Sequence, residues 1–334
     1  MQDLSGKKVL ITGACGTVGA ELVNQLLATD AAHIVSLDNN ETELFFLNER
    51  HRSTGRHSGY LADIRDREAL LGRLSGVDIV LHAAALKHVG LCEDSPMQAV
   101  QTNILGTQNV IDAALENDVE RVIFTSSDKA VNPTNVMGTA KLMGERLMSA
   151  ASNAANNGRT VFASTRFGNV LGSRGSVVPL FRRQIENGGP ITLTDSRMTR
   201  FVMTVAEAAS LVLRSVPLAK GGEVFVTKMP VARIVDIAHA MRESSSSAQD
   251  IEVHETGPKP GEKMYEELMN DEEVRRTYEH GDFFVVVPAF VAGGESRYAY
   301  LDREQRAERP YNSEFEEKMS RDEVTRYLKS RHII

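Results

Sequence analysis

Ser126-Ser127-Asp128-Lys129 sets hydroxyls, an acid and an amine side by side, directly after the apolar run Val122–Thr125. Ligands of open α/β sheets bind beyond the carboxyl ends of the strands, so a polar cluster at such an end is placed for chemistry. An adjacent acid and amine suit an elimination: one group takes a proton from carbon, the other gives one to a leaving hydroxyl. A polar turn that caps the next helix accounts for the same residues without chemistry.

A second pattern lies near the start of the chain. Val9-Leu-Ile-Thr-Gly-Ala-Cys-Gly-Thr-Val-Gly19 reads as strand, glycine-rich turn and helix start. Gly13 allows the tight turn, Gly16 lets backbone approach a pyrophosphate, and Gly19 lets the helix pack closely on the sheet. Thr17 and Val18 open that helix, whose free N–H groups and positive dipole end suit phosphates. Asp38 ends the next strand, about 20 residues on, where an acid can accept both ribose hydroxyls and repel a 2′-phosphate. That favours NAD over NADP as cofactor. Asp63 and Ile64, after a third strand, could bracket the adenine, with a helix N-cap at Asp63 as the plainer account. Ala83 and Ala84, after the strand ending in His82, are small enough for backbone to lie against the cofactor or for tight helix–sheet packing. Asn103 is expected to be structural.

The elements that must position these residues alternate regularly. Apolar runs at Val9–Thr12, Ile34–Leu37, Val77–His82, Val122–Thr125, Val161–Thr165 and Val224–Thr227 read as strands buried on both faces. Helical patterns occupy Thr17–Thr29, Arg65–Leu74, Pro96–Asn117, Val136–Asn157 and Ser176–Asn187. Strict alternation implies right-handed βαβ units: an α/β fold with a Rossmann-type, doubly wound parallel sheet. Beyond Gly172 the rhythm loosens into turns, a short strand at Ile191–Thr194, helices near Val205–Val216 and Ala232–Glu243, and a serine run at Ser244–Ser247. Residues 1–172 are therefore expected to form the dinucleotide-binding domain, with elements near 205–230 returning to it. Residues 173–334 mainly build a smaller, interleaved substrate lobe.

Composition narrows the class. The chain has 334 residues, of which 42% are hydrophobic, and a formal net charge of −7. The acidic balance argues against a nucleic-acid partner. Two cysteines, Cys15 and Cys92, are too few for a disulfide framework or a cysteine-based metal site, and no metal is expected. No apolar stretch approaches the ~20 residues of a membrane span, and residues 1–8 lack a signal-peptide pattern. A cytoplasmic enzyme is expected, without membrane contact. The apolar stripe Val136, Met137, Ala140, Leu142, Met143 and Leu147 could pair across a two-fold axis, so a homo-oligomer is expected.

Together these motifs resemble an extended short-chain dehydrogenase/reductase, and within it the capsular-polysaccharide type of UDP-N-acetylglucosamine 4,6-dehydratase. The Gly13/Gly16/Gly19 turn, Ser126-Ser-Asp-Lys-Ala-Val-Asn-Pro-Thr-Asn, Lys141, Arg166-Phe-Gly-Asn-Val-Leu-Gly-Ser-Arg-Gly-Ser, Met198-Thr-Arg-Phe-Val-Met-Thr and Gly261-Glu-Lys-Met-Tyr-Glu-Glu carry the resemblance, to about Leu268. One departure stands out. The superfamily's Tyr-x-x-x-Lys is here Met137-Gly-Thr-Ala-Lys141. Methionine carries no proton, and its presence resembles a branch of these dehydratases that includes members retaining configuration at sugar C5. Most of the family resembled carries N-terminal membrane helices, whereas this chain resembles the soluble minority.

The resemblance implies an NAD-dependent lyase acting on a UDP-sugar. Lys129 would take the C5 proton, Asp128 would protonate the departing C6 hydroxyl, and Ser127 would hydrogen-bond the C4 oxygen. Lys141 would hold the nicotinamide ribose, and Asp128 or a water on Ser127 would replace the missing tyrosine as base. Lys87, Arg166, Asn169, Arg174, Arg200 and Lys263 are the substrate-side candidates, Arg200 foremost as a planar fork for diphosphate. Tyr265-Glu266-Glu267 reads as helix capping or packing. The alternatives are a C5-inverting dehydratase, an epimerase, which needs no Asp128–Lys129 pair, and a non-catalytic NAD-binding protein.

Overall fold

The computed structural model describes residues 4–154, 159–245, 251–257, 261–290 and 295–334. Six strands form the expected parallel core: β1 (Lys8–Thr12), β2 (His33–Asp38), β3 (His57–Leu61), β4 (Ile79–His82), β5 (Arg121–Thr125) and β6 (Val161–Arg166). They run in the order 3-2-1-4-5-6, so the direction of winding reverses beside β1. A ligand crevice forms at such a switch point, beyond the carboxyl ends of β1 and β4. Strands β1, β4 and β5 are almost wholly buried, which is why they read as unbroken apolar runs.

Helix α1 (Thr17–Leu27) and the helix Val205–Leu218 cover one face of the sheet, over a core of Val9, Ile11, Leu22 and Val212. Helices Arg67–Arg73, Gly106–Glu116 and Val136–Ala154 cover the other, over Leu10, Val80, Val122 and Phe162. The sheet continues past β6 through Val224–Thr227, which is parallel, as expected of a returning element. It then gains two antiparallel strands, Phe283–Val286 and Thr277–His280, contributed by the region read as substrate lobe.

The third strand expected before Asp63 is β3, which had no apolar run to mark its bounds, and sequence periodicity missed the helix Glu41–His51 (α2). β3 is the sheet's edge strand, His-Ser-Gly-Tyr-Leu, half-buried at best, so it needs no apolar run. α2 leaves Phe45 and Phe46 exposed. The long helix expected over Pro96–Asn117 is three pieces, with a π-helical stretch at Val100–Leu105 between two α segments. That bulge faces Asn103 inward, where its amide bonds both backbone groups of Leu86 at 2.8 and 2.9 Å. The loop after β4 is fixed by this pair.

The second lobe packs Val177–Glu186, Ile234–Ser244 and Arg321–Ser330 around Phe181, Ile191, Ile237 and Leu328. Part of the serine run, Ser246 and Ser247, lies outside the described residues. The apolar stripe on Val136–Ala154 is mostly used within the fold: Met137 and Ala140 are buried, Leu142 and Leu147 half-buried, and Met143 exposed. Among the described residues no helix is long and apolar enough to cross a membrane.

Candidate functional site

The glycine turn forms a cradle that fits a dinucleotide. Gly13 has φ +68°, and a Cβ there would stand 2.6 Å from Ala84 Cα and N, so β1 and the loop after β4 meet backbone to backbone. Gly19 is buried against Gly13, and Gly16 is exposed at the mouth. α1 begins at an N-cap Gly16 with no side-chain cap, leaving its first N–H groups for a ligand. Asp38 Oδ2 accepts from Cys15 N at 2.8 Å and Oδ1 from Asn40 N at 2.9 Å, so the acid both shapes the turn and fixes a negative charge beside it. Burial and the neighbouring Asp38 push the Cys15 thiol up to about 12, which leaves it unreactive.

Several cofactor-side expectations change. Asp63 does not cap the following helix, which starts at Arg67 with Asp66 as its cap. Asp63 instead is held by Arg65, and its carboxyl is pulled down to about 2. Ile64 is buried in the sheet-face core rather than open to a ring. Val18 also packs its side chain inward, so only its backbone can meet a phosphate. Ala83 and Ala84 lie half-buried at the cradle's floor, consistent with both readings.

The chemical cluster is ordered by short bonds. The turn Asp128–Ala130 follows β5, and Ser126 N and Asp128 N donate to Thr165 and Phe167 carbonyls at the exit of β6. Gly138 lets the helix Val136–Ala154 press on this turn, since a Cβ there would overlap Lys129 O. Asp128 is 1% exposed. Its Oδ1 accepts from Ser127 Oγ (2.6 Å), Lys129 N (2.9 Å) and Lys129 Nζ (3.1 Å). Its Oδ2 is buried with no partner in the protein. Such an atom is costly unless a ligand completes it.

Lys129 Nζ lies between two carboxylates, with Glu266 Oε1 at 3.4 Å. Burial alone would lower its basicity, but the charges of Asp128 and Glu266 outweigh burial and hold it protonated. Glu266 was read as a packing residue of a helix. It stands instead just before the strand Glu267–Met269, buried, with its carboxyl pushed up by burial and by Asp128. Lys141 donates to Thr125 O at 2.8 Å, and burial brings its amine down to about 8. Met137 takes no part in this cluster: its thioether is buried with Cys92 and Ala99.

On the substrate side, two arginines are corrected. Arg166 is 1% exposed and spends all five N–H groups within the protein, on Glu145, Glu273 and Leu268 O. No fork remains for a diphosphate. Arg200 is buried too, donating to the carbonyls of Thr199 and Lys263 at 2.8 Å and lying 3.5 Å from Glu266. Lys263 donates to Val131 O and pairs with Glu267, which ties its segment to the Asp128–Ala130 turn. Arg174 is exposed, paired with Glu43 at 2.7 Å, with its N–H on Thr17 Oγ1 and Lys87 Nζ on its carbonyl. Both cations therefore sit over the glycine turn, nearer the cofactor cradle than a separate sugar site. Asn169 keeps an unpartnered, buried Nδ2 and stays a candidate for the substrate.

A further contact joins two motif stretches that the sequence leaves far apart. Thr134 and Asn135 side chains donate to Gly261 O, and Asn132 to Glu267, so Asn-Pro-Thr-Asn is the dock for Gly261–Glu267.

A doubly wound sheet, a glycine cradle at its switch point and a polar cluster beyond β5 define a nucleotide-binding α/β protein of the extended short-chain dehydrogenase/reductase kind. The chain belongs to the family described as polysaccharide biosynthesis protein, whose model matches residues 9–288. It is 38% identical over 287 residues to a UDP-N-acetylglucosamine 4,6-dehydratase (inverting) of Campylobacter jejuni, covering 85% of this chain and 84% of the relative. The X-ray structure of Pen from Bacillus thuringiensis is similar throughout, at 38% identity, TM-score 0.90 and 98% coverage of both chains. The dTDP-glucose 4,6-dehydratase DesIV of Streptomyces venezuelae, solved with NAD and TYD, shares the fold at 21% identity and TM-score 0.68, over 77% of this chain and 86% of that one.

Proposed function

We propose that the protein removes water from UDP-N-acetylglucosamine, with NAD as its internal hydride carrier, to give a 4-keto-6-deoxy sugar with C5 configuration retained. The carrying observation is the buried Asp128–Lys129 pair beside the dinucleotide cradle, with an unpartnered carboxylate oxygen. When bound, NAD supplies a hydride acceptor for C4 and a hydride donor for C6. The cradle fits it: uncapped α1, Gly13 backed onto Ala84, and the Asp38 charge opposing a 2′-phosphate.

The residues then divide the proton work. Asp128 Oδ2 is free to take the C4 hydroxyl proton and to hand it to the leaving C6 hydroxyl, which balances the two steps. Ser127 steadies Asp128 through its 2.6 Å bond. Lys129 takes the C5 proton and returns a hydrogen from Nζ, whose N–H groups exchange with solvent. One amine serving one face gives retention, and Met137, buried elsewhere, offers no second proton carrier. The inverting name of the Campylobacter relative supports the other stereochemical outcome. Lys141 supports negative charge at the C4 oxygen while it is protonated. Its amine titrates near 8, so kcat is expected to fall as pH rises through that value.

The test is incubation with UDP-N-acetylglucosamine in deuterated water without added NAD, followed by proton NMR. A new C6 methyl with deuterium at C5 is expected, and the couplings report the face of reprotonation. Absence of the methyl signal, with NAD supplied, would overturn dehydration. Gly13→Val, which drives two methyls into Ala84, is expected to yield protein without bound NAD.

A further inference from the structure

Glu266 lies outside the groups that handle protons in the proposed reaction, yet it is built into their midst. Its backbone is fixed from both sides by Ser313: Glu266 N donates to Ser313 Oγ at 2.9 Å, and Ser313 N donates to Glu266 O at 2.9 Å. Ser313 is itself fully buried and bonded to Thr199 at 2.9 Å. Residues near the C-terminus thereby set where this carboxylate sits. Oε1 stands 3.4 Å from Lys129 Nζ and 3.5 Å from Arg200 Nε. Oε2 is buried and has no partner.

The groups facing Glu266 are Asp128, Lys129, Arg200 and, further off, Lys263. Such a set favours Lys129 as an ammonium, and an ammonium cannot take a proton from carbon. Something must hold that proton while the amine works. Asp128 Oδ1 already accepts three hydrogen bonds, and its Oδ2 has its own proton to carry.

We propose that Glu266 is a positioning residue that sets the charge of Lys129, its carboxylate accepting a proton from Nζ and holding it while the amine acts at sugar C5. The inference rests on the dehydratase reading. An N–H bond breaks at Nζ and an O–H bond forms on Glu266. The C5 proton then moves to the Nζ lone pair, and its electron pair flows into the C4 carbonyl. On reprotonation Nζ returns a proton to C5 and Glu266 returns its proton to Nζ, which restores the ammonium–carboxylate pair, so no outside acid or base is consumed. The geometry suits this exchange, and burial, which pushes the Glu266 carboxyl up, makes the protonated acid accessible.

The test compares wild type, Glu266→Gln and Glu266→Asp as purified with their NAD, labelled with lysine carrying ¹³C at Cε. In Glu266→Gln the Lys129 resonance is expected to titrate at lower pH than in wild type. The ratio of variant to wild-type kcat should rise about tenfold per pH unit up to that titration, because the amine now loses its proton to solvent. The ratio cancels the separate effect of Lys141. Glu266→Asp, with the charge kept and the reach shortened, should lie between and serves alone if the glutamine variant does not fold. An unmoved Lys129 titration, or a kcat ratio independent of pH, would overturn the proposal. If wild type forms no methyl product, the dehydratase reading fails, while the Lys129 titration still decides whether Glu266 controls its charge.

Discussion

Asp128→Asn is expected to lower product formation by about 10³- to 10⁴-fold, the upper range for loss of a positioned acid–base group, while the protein keeps its fold and its NAD. The expectation follows from how the two carboxylate oxygens differ. Oδ1 accepts three hydrogen bonds from Ser127 and Lys129 and holds the turn together. Oδ2 is buried and bare, and is the atom able to move a proton. Asparagine can keep its oxygen in the first position and puts an amide nitrogen in the second, which cannot take a proton. Lys129→Ala should cost as much, because no other amine faces the sugar carbon in the proposed reaction. The measurement is methyl-product formation by NMR beside the bound NAD content of each variant. Product at near wild-type rate from both variants would remove the pair from the mechanism.

Much of this site was legible because its parts are local in sequence. The glycine turn lies within one strand–helix connection, and Ser127, Asp128 and Lys129 follow one strand. Central strands also announced themselves, since burial on both faces demands unbroken apolar runs. Edge strand β3 has no such demand, so a strand was expected before Asp63 but its bounds could not be read. Glu266 could not be placed beside Lys129 because 137 residues separate them. The signal available was the Gly261-Glu-Lys-Met-Tyr-Glu-Glu stretch itself, whose dock on Asn132–Asn135 appears only when the chain is folded. Arginine type misled at Arg166 and Arg200 for a related reason. A guanidinium suits a diphosphate and a pair of glutamates equally, and sequence does not show which one it meets.

Arg166 carries the second large effect, on stability. Its guanidinium joins Glu145, on the helix Val136–Ala154, to Glu273, in the segment that leads into the outer antiparallel strands. Arg166→Met keeps most of the volume but strands two carboxylates, each side chain only 4% exposed, and is expected to cost about 3–5 kcal/mol. The pH dependence fixes the cause. In the wild type, burial would raise the Glu273 carboxyl, but Arg166 outweighs burial and holds it below its usual 4.5. That contribution is fully present above 4.5 and is lost as pH falls below it. In the variant, burial of Glu273 is opposed only by Arg276 and the Asn270 N–H, so its carboxyl rises and the folded state binds a proton that the unfolded state releases. The stability gap between the two proteins should therefore be widest near neutrality and close on acidification, as read by denaturant unfolding across pH. Replacing Glu145 and Glu273 by glutamine as well should recover part of the loss, because amides carry no charge to strand. Glu145 lies one helical turn beyond Lys141, and its charge supports that lysine's proton. The triple variant, though refolded, should then lose the Lys141 cation at lower pH than wild type, which links the buried ion network to the chemistry it stands behind.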